Sequence, residues 1–164
     1  LILLGPGGEW CREAAGSDPR VHYLGPRPVE ECIGILRSCH VALYPYPDLF
    51  YFAMTHTTSK MALYMTCGLP VLATRSRAVT RFVEEEGVGV ACEAGELAGT
   101  MNRLAEDPGR LDAMRASARR VSASFYWDVI IDEAFAEIAS REGLEPLPSR
   151  TGRPVPGPDR VRAT

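Results

Sequence analysis

Apolar and polar positions follow two rhythms along the chain. Short apolar runs at residues 1–5, 21–25, 41–46, 70–74 and 87–93 have the length and content of buried strands. Between them the spacing changes to that of helices. In residues 28–37, Val29, Cys32, Ile33 and Leu36 fall at i, i+3, i+4 and i+7, which predicts one buried face. Pro28 suits a first helical position, Glu30 and Glu31 suit the positive end of the helix, and Arg37 suits the negative end. Residues 77–86 repeat the pattern with Ala78, Val79, Phe82 and Val83. Strands joined by helices at this spacing predict an α/β fold built on a parallel sheet.

Beyond residue 94 the pattern is wholly helical. Leu97, Met101 and Leu104 mark one helix, and Asp107-Pro108-Gly109 breaks it. Leu111, Met114, Ala118 and Val121 mark the next, and a last helix carries Trp127, Ile130, Ile131, Ala134, Phe135 and Ile138 on one stripe. Residues 144–164 lose all periodicity and are rich in proline and arginine. The expected organisation is one folded domain over residues 1–143 and a disordered tail over 144–164. The first strand pattern begins at Leu1, without an initiating methionine, so the chain is expected to be a fragment.

Composition narrows the classes without naming one. With 46% hydrophobic and 24% charged residues, the 164-residue chain has the make-up of a soluble globular domain. No apolar run approaches the roughly 20 residues of a membrane helix, and no secretory signal opens the chain. A net charge of −3 argues against a nucleic-acid partner. The five cysteines form no CxxC pair, which suits reduced thiols and a cytoplasmic location. In the tail, Arg150, Arg153, Arg160 and Arg162 outnumber Glu145 and Asp159. Such a tail could make peripheral contact with an anionic membrane, although a linker is the plainer reading.

Ligands of open parallel sheets bind beyond the carboxyl ends of the strands. Gly5-Pro6-Gly7-Gly8 follows the first strand, where Gly7 and Gly8 would let backbone amides approach a phosphate, or simply form a tight turn. Gly25-Pro26-Arg27-Pro28 follows the second, and Arg27 could stack on a base or do no more than lead into the helix. A long loop with Asp48, Phe50, Tyr51 and Phe52 follows the third. It runs into His56-Thr57-Thr58-Ser59-Lys60, which sets three hydroxyls and a lysine at a helix start. Thr57 or Thr58 can cap that helix, and Lys60 in its first turn would be offset by a nearby anion such as a diphosphate. Lys60 is the one lysine among 18 basic residues. Tyr64 shares its face at i+4, with Cys67 beside them. His56 is a candidate for phosphate contact or proton transfer, and equally for polar surface. The run Glu84-Glu85-Glu86 reads as a solvated helix end.

These residues resemble a family. Val21-His22-Tyr23-Leu24-Gly25, Val41-Ala42-Leu43-Tyr44-Pro45-Tyr46, and the run from Ser59-Lys60-Met61 through Tyr64 and Cys67-Gly68-Leu69-Pro70-Val71 are similar to the C-terminal, donor-binding half of GT-B-fold glycosyltransferases. Gly87-Val88-Gly89-Val90, the Asp107-Pro108 break and Phe125-Tyr126-Trp127 fall where that family has similar features, so the resemblance covers about residues 1–140. It implies a Rossmann-like domain whose first strand is missing, leaving an open position in the sheet. It implies a nucleotide-diphosphate sugar as substrate, with Lys60, Ser59, Thr58 and Tyr64 near the diphosphate, Gly7 and Gly8 on the glycine loop, and Pro26 and Arg27 near the base. Many retaining members carry a pair of glutamates whose matching positions here are Thr55 and Leu63, so both carboxylates are absent. Galactofuranosyl-, glucosyl- and glucuronosyl-transferase-like subfamilies with a lysine followed by Leu-Tyr are closer, and those favour UDP over GDP.

The expectation is therefore the donor half of a glycosyltransferase that moves a sugar from a UDP-sugar to a hydroxyl acceptor. Lys60, the hydroxyls and the helix end would stabilise the leaving diphosphate. No Asp-x-Asp cluster is present to hold a metal, so no cofactor and no metal are expected. The family's N-terminal acceptor domain, which often supplies the catalytic base, is the missing partner, so this chain alone is expected to be inactive. The rival readings are a nucleotide-sugar epimerase on the same fold and a non-catalytic binding module.

Overall fold

The structure, a computed structural model, describes residues 1–46, 58–145 and 148. Its elements run β1 (Ile2–Leu3), α1 (Glu9–Ser17), β2 (His22–Tyr23), α2 (Val29–Ser38), β3 (Ala42–Tyr44), α3 (Ser59–Thr66), β4 (Val71–Thr74), α4 (Arg77–Glu85), β5 (Gly89–Cys92), α5 (Leu97–Ala105), α6 (Pro108–Val121) and α7 (Trp127–Glu142). Short 3-10 turns at Ala94–Glu96 and Ser122–Phe125 precede α5 and α7.

Every described strand pair is parallel, as the alternation of elements requires. β4 is the centre of a three-stranded sheet ordered β3-β4-β5. Its Val71, Leu72 and Ala73 are fully buried, because an unbroken apolar run needs cover on both faces and the crossover helices supply it. Val71 lies opposite Ala42 on one side and Gly89 on the other. Gly89 is fixed by that register, since a Cβ there would lie 1.9 Å from the Val71 carbonyl oxygen.

The principal core gathers Tyr44 from β3, Met61 and Met65 from α3, Val71 and Ala73 from β4, Val79, Phe82 and Val83 from α4, and Ala118 and Val121 from α6. Each large side chain buried there contributes roughly 1.5–3 kcal/mol of transfer free energy. The expected face of α4 is realised, with Ala78 half-buried at its margin. Asp107 and Pro108 both end one helix and start the next: the Asp107 side chain accepts from the Arg110 amide at 2.9 Å, and Pro108 occupies the first turn of α6. Arg120 reaches back from α6 to the end of α4, bonding the Glu86 carboxylate and carbonyl at 3.0 Å each.

The remaining elements depart from expectation in instructive ways. β1 and β2 pair only with each other, so the described strands make two sheets rather than one. Each has two residues where five were expected, since a strand bonded along one edge extends only as far as its partner. This small sheet gives α2 little to pack against: Val29 is exposed, Cys32, Ile33 and Leu36 are half-buried, and no residue of α2 is fully buried. Pro28 stands at the N-cap of α2, one position before the expected first turn. The stripe on α7 is largely open, with Trp127 76% exposed, and the helix buries Ala139 alone. Met101 is also exposed, and Thr100 takes the inward position beside Leu104 in α5. All five cysteines are free thiols. Among the described residues, no helix is long and apolar enough to cross a membrane. The expected tail falls almost wholly outside the described residues.

Candidate functional site

The carboxyl ends of β3 and β4 hold the group of residues around Lys60. Helix α3 starts on Thr58, whose backbone is extended and whose Oγ1 accepts the Met61 amide at 3.2 Å. A hydroxyl in this position satisfies one of the unpaired donors of the first turn. The same oxygen accepts the Tyr44 hydroxyl at 3.1 Å, so the helix start is tied to a buried side chain of β3. Of the hydroxyls expected on a diphosphate, that of Thr58 is thus already engaged in the fold, whereas Ser59 is exposed.

Lys60 sits in the first turn with its ammonium exposed. Nζ donates to the Tyr46 hydroxyl and lies 5.0 Å from the Tyr46 ring centroid. A cation over an aromatic face is held by the ring quadrupole without losing its charge. Tyr46 is itself fixed: its carbonyl accepts the Thr74 hydroxyl from the end of β4, and its ring meets that of Tyr44 edge-on at 4.6 Å. No acidic residue lies in the first turn of α3, and no carboxylate pairs with Lys60 among the described residues. The site therefore presents one positioned cation at the positive end of a helix.

Tyr64, one turn further along, faces inward. Its hydroxyl points at the Leu43 carbonyl at 3.4 Å, and burial, then the neighbouring Tyr46 and Tyr44, push its phenol above the usual range. It is a supporting wall under Lys60 and stays neutral near pH 7. Cys67 is likewise held as a thiol, chiefly by burial. Gly68 ends α3 in the left-handed conformation (φ +67°), and the Leu69 amide returns to the Tyr64 carbonyl at 2.9 Å.

The other expected contacts lie on the β1–β2 piece. The Gly7 amide donates to the Tyr23 hydroxyl at 3.1 Å and to the Gly5 carbonyl at 2.8 Å. A Cβ on Gly7 would lie 2.4 Å from Cys11 Sγ, so close packing alone accounts for this glycine. Gly8 caps α1 without a side chain. Arg27 is tied to its own loop, with Nε on the Leu24 carbonyl at 3.0 Å and Nη1 3.6 Å from Glu31, and Pro26 beside it is exposed. No described hydrogen bond or ion pair joins these loops to the Lys60 group. His56, with Asp48, Phe50, Tyr51, Phe52 and Thr57, lies outside the described residues.

Sequence reasoning named neither Tyr46 nor Thr74 as supports of the site. It also assigned no chemistry to the loop after β4, where a cavity of about 630 Å³ is lined by Arg75, Ser76, Thr80, Glu84 and Glu93 among others. The signal was present, since a buried strand ends in Thr74-Arg75-Ser76 directly before a helix.

With this geometry in place, comparison by sequence is decisive for the family. The family described as Glycosyl transferases group 1 matches residues 1–107, which include both parallel sheets and the Lys60 segment. This chain belongs to that family. No curated protein matches the sequence. Among solved structures, Anabaena HepE in complex with UDP is similar at 22% identity and a TM-score of 0.60, covering 85% of this chain and 40% of that one. HepE in complex with UDP-glucose gives 23% identity, a TM-score of 0.60 and the same coverage. HepE with UDP and glucose gives 23% and 0.57, covering 85% and 39%. The likeness is one of fold, and the family member described here spans about 40% of the HepE chain.

Proposed function

We propose that this chain is the donor-binding half of a glycosyltransferase that uses a UDP-sugar and transfers the sugar to a hydroxyl acceptor. The observation that carries the reading is Lys60: an ammonium with no carboxylate partner among the described residues, positioned by Tyr46 in the first turn of a capped helix, at the carboxyl ends of two parallel strands. Such a cation is suited to the diphosphate of the donor, where negative charge grows as the glycosidic bond breaks. Ser59 would add a hydroxyl, the first-turn amides would add donors, and Tyr64 would hold the floor beneath them. Family membership and HepE's complexes with UDP and UDP-glucose support a nucleotide-sugar ligand. The base would rest toward Pro26 and Arg27, and the glycine loop of Gly7 and Gly8 would close the site. Charge stabilisation by Lys60 and the helix end needs no divalent metal. Catalytic turnover requires an acceptor domain, which supplies the second wall of the cleft.

The test is calorimetric titration of UDP into the intact protein and its Lys60 variants. Lys60→Ala should weaken UDP binding by roughly 1.5–3 kcal/mol, the scale of a charged hydrogen bond. Lys60→Arg should also bind less well, because the planar guanidinium cannot occupy the same place over Tyr46. Wild-type affinity in Lys60→Ala would overturn the reading and leave a binding module of another kind.

A further inference from the structure

The last residue of β4 differs from the rest of its strand. Val71, Leu72 and Ala73 are fully buried, whereas Thr74 is half-buried and stands outside the principal core. The ladder between β3 and β4 closes at Tyr44 opposite Ala73, while β4 runs one residue further, with Thr74 opposite Cys92 of β5. On the β3 side the chain enters Pro45, which has no amide hydrogen with which to extend the ladder. The Thr74 side chain takes over there. Its hydroxyl donates to the Tyr46 carbonyl and lies 3.5 Å from the Tyr44 carbonyl, so it holds the backbone on both sides of Pro45. A strand end by itself asks only for a β-branched side chain, which valine would supply equally. The hydroxyl serves the chain beyond the strand.

Two side chains of that segment reach α3 by separate routes. Tyr44 donates to Thr58 Oγ1 at 3.1 Å, and Thr58 caps the Met61 amide, so this route fixes the helix. The Tyr46 hydroxyl accepts from Lys60 Nζ, so the second route fixes the ammonium. Tyr44 is already held inside the ladder by its place opposite Ala73, but Tyr46 lies past the ladder and has Thr74 as its tie to β4. A loose lysine side chain samples many rotamers, and ordering it opposes ligand binding; one that is held beforehand loses less.

We propose that Thr74 is a positioning residue of the α3 site, which sets the place of the Lys60 ammonium through Tyr46 and thereby the affinity for a nucleoside diphosphate. Thr74 acts through its neighbours and touches no ligand group itself. The inference rests on the reading of Lys60 given above.

Two readouts test it. Lys60 is the one lysine of the chain, so 13C-lysine labelling of the full chain gives a single side-chain signal that reports its setting without any ligand. Tyr46→Phe should move that signal furthest, by removing the hydroxyl that holds Nζ. Thr74→Val should move it part of the way in the same direction, and Thr74→Ser, which restores a hydroxyl, should return it toward wild type. The 15N-labelled Met61 amide should stay in place in Thr74→Val, because the Tyr44–Thr58 route is intact. In calorimetric titration, Thr74→Val should bind UDP about three- to tenfold more weakly, the scale expected for ordering one long side chain. That loss should vanish when Thr74→Val is made in Lys60→Ala. A Lys60 signal unmoved in Thr74→Val overturns the positioning, whatever UDP does. Wild-type UDP affinity in Thr74→Val, or an equal loss with and without Lys60, overturns its role in binding. Wild-type affinity in Lys60→Ala is a separate failure: it removes the diphosphate reading and the binding role together, while the lysine signal still decides whether Thr74 places Lys60.

Discussion

Helices α3 and α4 begin alike and end up differently. Each follows a buried parallel strand, and each starts on an extended hydroxyl residue, Thr58 with φ −102° and ψ 155°, Ser76 with φ −149° and ψ 156°. Thr58 spends its oxygen on the fold: it caps Met61 and receives Tyr44. Ser76 does neither, and the Thr80 hydroxyl takes up the bonding instead. The contrast shows that a Ser or Thr before a helix specifies where the helix starts, not what its hydroxyl is free to do. At α3 the freedom to meet a ligand has passed to Lys60. At α4 the Ser76 side chain makes no capping bond.

Substitutions at the two caps should break this symmetry most visibly. Thr58→Ala removes the cap on the Met61 amide and the bond from the Tyr44 hydroxyl to Thr58, so a loss of about 1–2 kcal/mol in urea unfolding is expected. A loss within a few tenths of a kcal/mol would show that Thr58 is no more structural than Ser76. Next in size is an alkaline effect under α3. Burial raises the Tyr64 phenol above its ordinary value of 10.0, so the folded chain keeps that proton longer than the unfolded chain does. Stability from this group is whole below pH 10 and declines as the pH rises through the folded value. Tyr64→Phe should therefore lose less stability than wild type between pH 9 and pH 11, and parallel curves would contradict the assigned burial. The smallest effect belongs to α4, where Ser76→Ala should change unfolding stability by less than about 0.5 kcal/mol because no cap is lost. A loss as large as that of Thr58→Ala would mean that Ser76 serves the fold after all.

The core around β4 was legible because periodicity and burial agree there. The unbroken apolar run of 70–74 and the helical spacing of Val79, Phe82 and Val83 require opposite faces to be covered, and α3, α4 and α6 cover them. The same spacing misled at α2 and in the stripe of α7, where Val29, Phe135 and Ile138 are apolar but exposed. Periodicity reports which face can be buried, and says nothing of whether a surface is there to bury it. Lys60 was legible as a candidate because a lysine in a first turn without acidic neighbours is unusual. Its support was not, since Tyr46 and Thr74 meet it only through strand pairing between residues far apart in sequence.

The central claim is that the positioned cation at α3 serves a nucleoside diphosphate. It is tested most directly by calorimetric titration of UDP, GDP and UMP into the intact protein without added metal. The account predicts that UDP binds well above both, the diphosphate separating it from UMP and the base from GDP. Equal binding of UDP and UMP, or no binding of any of the three, would contradict it.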